Sequence, residues 1–89
     1  MIITPAGIAQ LPLANIDAVV FYKRDQITTD LICCDVDMAG KIWTFHEEMK
    51  GWVDLIAHLS ALPEFRADWY EAVVHPPFCT SETVAFHRL

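Results

Sequence analysis

The pattern of hydrophobic and polar positions predicts β-strands in three consecutive segments, of which the second and third form a hairpin with one apolar and one mostly polar face. Residues 16–23, 27–38 and 41–47 are rich in β-branched and aromatic side chains. Both alternate sets of residues 16–23 are apolar, which is typical of a strand that is covered on both faces at the centre of a sheet. The polar residues 24–26 predict a turn after this strand.

The dipeptide Ala39-Gly40 predicts a hairpin with a two-residue loop between the second and third strands, since Gly40 tolerates a positive φ. Met38 then faces Lys41, and the numbers of facing residues add up to 79. This register gives the hairpin an apolar face with Ile32, Cys34, Val36, Trp43 and Phe45. The other face pairs Asp37 with Ile42, Asp35 with Thr44, and Cys33 with His46.

After Gly51 the apolar period becomes helical. The stripe of a first predicted helix contains Trp52, Leu55, Ile56, Leu59 and Leu62. Pro63 is expected to end this helix and to open a second one, with a stripe of Phe65, Trp69, Ala72 and Val73. His75-Pro76-Pro77 ends the second helix, because a residue before proline avoids helical backbone. Residues 83–88 predict a last strand.

The predicted order β-β-β-α-α-β indicates an α+β fold of two layers. An antiparallel sheet of about four strands carries both helices on its apolar face, so that Trp52, Leu55, Ile56 and Leu59 pack on Val36, Trp43 and Phe45. We expect one domain over residues 1–89. Residues 1–15 are interrupted by prolines and a glycine and predict an irregular arm with one extended piece, lying against the body or a partner.

Charge and cysteine content limit the classes of partner and compartment. The formal net charge is -6, and the six basic residues form no cluster, which disfavours nucleic acid and anionic membranes as partners. No apolar run approaches the roughly 20 residues of a membrane span. Three cysteines without framework spacing, and a start without the basic residues of a signal peptide, predict reduced thiols in the cytoplasm. Hydrophobic residues make up 54%, a surplus that predicts a homodimer.

Several short strings resemble a small bacterial family of uncharacterised single-domain proteins. They are residues 22–34 (YKRDQITTDLICC), Phe45-His46-Glu47, Gly51-Trp52 and Pro76-Pro77-Phe78. The resemblance covers most of the chain. It implies a bacterial origin and no chemistry.

The predicted register places Cys33 opposite His46, with Asp35 one pleat along the same face. A cysteine beside a histidine that is oriented by an acid can supply a thiolate nucleophile. The competing interpretation is an ordinary sheet face, exposed or covered in a dimer, and we prefer it because no oxyanion hole or nucleophile turn is visible. Structural metal sites need closely spaced ligand pairs, which the chain lacks, so neither a metal nor another cofactor is expected.

Trp43, Trp52 and Trp69 can line a ligand pocket or anchor the core, and the core interpretation is the simpler one. Asp35 and Asp37 can meet a basic partner, although such charges usually form only a solvated face. The sequence therefore predicts a protein without catalytic activity that acts as an interaction or regulatory module, of which a toxin-neutralising immunity protein is one form. The alternatives are a small-molecule binding domain with a pocket between sheet and helices, and an enzyme that uses Cys33 and His46.

Overall fold

The computed structural model describes residues 2–25, 30–75 and 82–88, with Asp25 described by its backbone alone. The elements in chain order are α1 (Pro5–Ala9), a 3-10 helix (Leu13–Asn15), β1 (Ile16–Asp25), β2 (Asp30–Met38), β3 (Lys41–His46), α2 (Trp52–Leu59), α3 (Trp69–Val74) and β4 (Thr83–His87). The four strands form one antiparallel sheet in the order β3-β2-β1-β4. This is the predicted α+β fold. Across the described ranges, no helix has the length and apolar character needed to cross a bilayer.

The hairpin of β2 and β3 has the predicted register. Six facing pairs run from Met38 and Lys41 to Cys33 and His46, and in each pair the residue numbers add up to 79. Ala39 and Gly40 form the loop with φ angles of 55° and 76°. Positive φ at both positions is the property of the tight hairpin turns whose twist matches that of the flanking strands.

The predicted turn at residues 24–26 is wrong for its first two residues, because β1 continues to Asp25. Arg24 faces Leu31, and Asp25 faces Asp30. The polar character of Arg24 reflects its exposure to solvent rather than a turn, and the ladder continues because each further pair adds backbone hydrogen bonds. Residue 26 and the first three residues of the predicted second strand, 27–29, lie outside the described residues.

Phe21 is at the centre of the face that the helices cover. Its side chain is fully buried, and its ring stacks on Trp69 of α3 at a centroid distance of 3.8 Å. Trp52 of α2 and Phe65 meet the same ring edge to face at 6.4 and 6.3 Å. Both helices are thereby held on one side of β1, as predicted.

The apolar cluster contains most of the predicted core. Leu55 and Leu59 of α2 are fully buried in it together with Val36, and Phe45, Trp52 and Ile56 pack against it. The prediction is wrong for Trp43, whose side chain is 46% exposed. The end of the sheet at Trp43 is met by the N-terminal arm instead of α2.

The segment between the two helices is not helical, so the prediction that Pro63 opens the second helix is wrong. α2 ends at Leu59, and α3 begins only at Trp69. Arg66 shows the physical reason, because its N–H donates to the carbonyl of Ala85 in β4 at 2.8 Å instead of to a carbonyl four residues earlier. Leu62 is still buried in the cluster, as its place in the stripe predicts. The predicted stop after α3 falls on His75, which is extended; Pro76 and Pro77 lie outside the described residues.

The N-terminal arm is more regular than predicted and lies against the body. Thr4 caps α1 by accepting a hydrogen bond from the N–H of Gly7 at 3.0 Å. The N–H of Ile3 donates to the carbonyl of Lys50 at 2.7 Å, and a ring nitrogen of His58 in α2 lies 2.7 Å from the carbonyl of Leu11. The apolar arm therefore extends the helical layer over the sheet.

Gly51 is where the arm approaches the start of α2 most closely. Its φ is 97°, and a Cβ at this position would overlap the carbonyl of Ile3. We expect Gly51→Ala to lower the free energy of unfolding by more than about 2 kcal/mol, because strain and overlap add. Gly40→Ala is the matched control, since its φ is also positive but its Cβ would meet open space; it should cost about 1 kcal/mol. Urea unfolding followed by tryptophan fluorescence measures both, and equal losses would contradict the close contact.

Leu55 tests the packing of α2 on the sheet. Leu55→Ala should lower the free energy of unfolding by about 2–5 kcal/mol, because it leaves a cavity in the cluster. Val53 on the same helix is 77% exposed, and Val53→Ala should change the value by less than about 0.5 kcal/mol. Chemical denaturation of both variants tests this. Similar small losses of the free energy of unfolding would show that the Leu55 side of α2 does not pack on the sheet.

Candidate functional site: the open face of the sheet

One face of the sheet carries no helix in the described part of the chain, and we call it the outer face. Side chains alternate along a strand, so the residues that flank the core-facing Val19, Phe21 and Val36 point to the outer face. These are Ala18, Val20 and Tyr22 of β1, Cys33, Asp35 and Asp37 of β2, Ile42, Thr44 and His46 of β3, and Val84 of β4. All three residues of the predicted nucleophilic group lie on this face.

Cys33 lies between Tyr22 and His46 in one row across three strands. Its side chain is fully buried although no helix of the described chain covers this face. The thiol donates to the carbonyl of Leu31 at 3.7 Å. Cys33 is therefore a buried thiol that is bonded within its own strand, and His46 is its register partner on β3.

Asp35 binds two hydroxyl groups through one carboxylate oxygen. Tyr22 donates to its Oδ1 at 3.1 Å, and Thr44 donates to the same atom at 2.8 Å. His46 is oriented by a different contact, because its Nδ1 accepts the N–H of Glu48 at 3.2 Å. Cys33, Asp35 and His46 thus share a face as predicted, but their bonds do not form an acid–histidine–thiol chain.

The electrostatics of the row disfavour a thiolate. Burial raises the pKa of the Cys33 thiol; Arg24 opposes this effect, and the carboxylates of Asp35 and Glu47 add to it. Burial, followed by the charge of Asp35 and its hydrogen bond, also raises the pKa of Tyr22. At neutral pH the thiol and the phenol are both protonated, and they act as neutral hydrogen-bonding groups.

A shallow depression of about 270 Å³ lies on the outer face beside this row. Ala18, Val20 and Ile42 give it an apolar lining, and Asp35, Asp37 and Glu82 bring carboxylates to it. Its open shape and mixed lining suit contact with another surface better than enclosure of a substrate.

A second cavity, of about 180 Å³, lies on the opposite side of the sheet between the arm and β3. Trp43 and Phe45 line it together with Ile3, Leu11 and Met49. Trp52 and Trp69 pack on Phe21 instead, so the three tryptophans do not form a common pocket. The apolar residues of the arm were the signal for this cavity, but the sequence did not show where the arm docks.

The sequence also missed Tyr22 and Thr44 as partners of Asp35. The register of the second hairpin already placed Thr44 beside Asp35, whereas the loop between β1 and β2 gave no fixed register for Tyr22. Within residues 2–25, 30–75 and 82–88, no three His, Cys, Asp or Glu side chains converge to hold a metal ion.

No family model, curated protein or solved structure matches the chain. The function is therefore inferred from the geometry of the molecule itself.

The raised pKa of Cys33 predicts slow thiol chemistry. At neutral pH, Cys33 should react with iodoacetamide at least about tenfold more slowly than a free cysteine, because burial limits both the thiolate fraction and access. His46→Ala should leave this rate unchanged. Fragmentation of the labelled peptide by tandem mass spectrometry distinguishes Cys33 from the adjacent Cys34, and the chain unfolded in urea gives the free rate. Fast alkylation that His46→Ala abolishes would identify a primed nucleophile instead.

Proposed function

We propose that the protein binds a basic protein partner through its outer face and acts as an interaction or regulatory module. The observation that carries the proposal is the part of the outer face beside Ala18, Val20 and Ile42, where apolar side chains and carboxylates lie together around one shallow depression. Interfaces between proteins combine an apolar centre with a polar rim in this way.

The outer face has apolar side chains that the described chain leaves exposed. Ile42 is 64% exposed and Val84 is 50% exposed, while Ala18 and Val20 are half-buried between them in the sheet. Exposed apolar patches with polar surroundings mark interaction sites. A partner that covered these side chains would gain the hydrophobic free energy that the isolated chain leaves unused.

The charge of the outer face indicates the chemistry of the partner. Asp35, Asp37 and Glu82 approach the depression, and the whole chain has a formal net charge of -6. Such a surface accelerates encounter with a basic surface and repels acidic ones. Arg24 lies on the same strand as Val20, but toward the other end of β1.

An immunity protein that neutralises a toxin by covering a basic surface is one form of this function. The expected setting is the cytoplasm of a bacterium, where the free thiols of Cys33 and Cys34 persist. A small-molecule binding domain is less favoured, because the cavity beside Trp43 is smaller than the roughly 300 Å³ at which ligand pockets begin. An enzyme is less favoured because Asp35 is bound by Tyr22 and Thr44 instead of orienting His46.

Asp37→Lys tests the outer face directly. The variant places a cation in the acidic rim, whereas Val53→Lys places the same cation on α2 and serves as the control. Proteins captured from the native host on the immobilised chain are identified, purified and measured by calorimetry. We expect a partner with a basic surface whose affinity falls at least about tenfold with Asp37→Lys, weakens with salt and is unchanged by Val53→Lys.

The proposal fails if every purified partner binds Asp37→Lys as tightly as it binds the original chain. Equal losses with Asp37→Lys and Val53→Lys would also contradict it, because they would point to net charge rather than to the outer face.

A further inference from the structure

The two edges of the sheet differ in how far the rest of the chain covers them. At the β4 edge, Arg66 donates its N–H to the carbonyl of Ala85 at 2.8 Å, so the turn around this residue lies along the strand. At the β3 edge, Lys41, Ile42, Trp43 and Thr44 are all exposed. No strand among the described residues pairs with β3 on its outer side.

The pairing within the sheet shows which backbone groups of β3 are available. The N–H of Glu47 donates to the carbonyl of Ile32 at 3.0 Å, so the backbone of residue 47 points toward β2. Because this direction alternates along an antiparallel strand, the N–H and C=O groups of Ile42 and Thr44 point away from the sheet. The N–H of His46 does the same, while its carbonyl already accepts from Met49. Such a row of groups is a template for another strand.

We propose that a second copy of this chain pairs with β3 in antiparallel orientation, with the two-fold axis at Thr44. The N–H and C=O groups of Thr44 in the two copies then bond to one another, and Ile42 of each copy faces His46 of the second copy. The two four-stranded sheets then form one sheet of eight strands. The helices of both copies lie on the same side of this sheet.

Charge complementarity favours a second copy in this orientation. Lys41 begins β3, and Glu47 and Glu48 directly follow it. Antiparallel pairing centred on Thr44 places Lys41 opposite Glu47 of the second copy, and the two-fold symmetry makes this contact twice. Parallel pairing would bring like charges together. Opposite charges on facing strands stabilise a sheet, and like charges destabilise it.

The same register covers the exposed aromatic side chain of β3. Trp43 is 46% exposed, and it would face Phe45 of the second copy on the helical side of the sheet. Aromatic pairs across antiparallel strands are stabilising. The pairing therefore buries part of the exposed apolar surface of a chain in which hydrophobic residues make up 54%.

This dimer is independent of the proposed partner. It uses the edge of the sheet and leaves the outer faces of both copies open on the same side. Loss of the dimer does not predict loss of partner binding, and Asp37→Lys, on β2, does not predict loss of the dimer.

Thr44→Pro and Thr44→Ala form a matched pair for the test. Proline removes an N–H that points away from β2, so it breaks the pairing between copies without removing a bond of the β2–β3 ladder. Alanine removes the hydroxyl that binds Asp35 but keeps that N–H. In analytical ultracentrifugation at high micromolar concentration, we expect the original chain and Thr44→Ala to have twice the monomer mass of 10.1 kDa. Thr44→Pro should sediment as the monomer with a folded circular dichroism spectrum.

Lys41→Glu tests the pairing of β3 between two copies independently if Thr44→Pro fails to fold. Lys41 is exposed on the strand. Lys41→Glu reverses its charge and places a carboxylate opposite Glu47 of the second copy. The dimer dissociation constant should rise at least about tenfold with Lys41→Glu and stay within about twofold with Lys41→Arg. A monomeric original chain, a folded dimer of Thr44→Pro, or an unchanged dissociation constant of Lys41→Glu would each overturn the proposal.

Discussion

Phe21 determines on which side of the sheet the helices lie. Its ring is fully buried at the centre of β1, stacked on Trp69 and met edge to face by Trp52 and Phe65. These three aromatic residues come from α2, α3 and the turns between them. One ring therefore joins α2, α3 and the segment between them to the centre of the sheet. Because large aromatic side chains dominate the free energy of burial in a small core, the helices of residues 2–25, 30–75 and 82–88 all lie on the face that carries Phe21.

The N-terminal arm completes the covered side. The N–H of Ile3 donates to the carbonyl of Lys50, and the carbonyl of Leu11 lies at hydrogen-bond distance from a ring nitrogen of His58. Gly51 makes the close approach possible. The arm leaves only a small cavity beside Trp43. On the outer face, Ile42 and Val84 remain exposed, and covering them is the gain in free energy on which the proposed partner binding rests.

The strands and the register of the second hairpin could be predicted from the sequence, because they depend on the local pattern of residues. The two-residue loop after Met38 allowed only one register, and this placed Cys33 opposite His46 correctly. Contacts between residues that are distant in the sequence could not be predicted in this way. The backbone bond of Arg66 to β4 replaces the helical turn expected after Pro63. The bond from Tyr22 to Asp35 was missed because the sequence between β1 and β2 fixes no register for Tyr22.

Aromatic packing covers the Phe21 face of the sheet, whereas Val20 and Val84 on the outer face are partly or largely exposed. Paramagnetic relaxation of methyl groups by a soluble gadolinium chelate tests this difference most directly, because Val19 and Val20 are neighbours in β1 on opposite faces. The account predicts strong relaxation of the methyl groups of Val20 and Val84 and weak relaxation of those of Val19 and Val36. Equal relaxation of the two sets, or the reverse order, would contradict it.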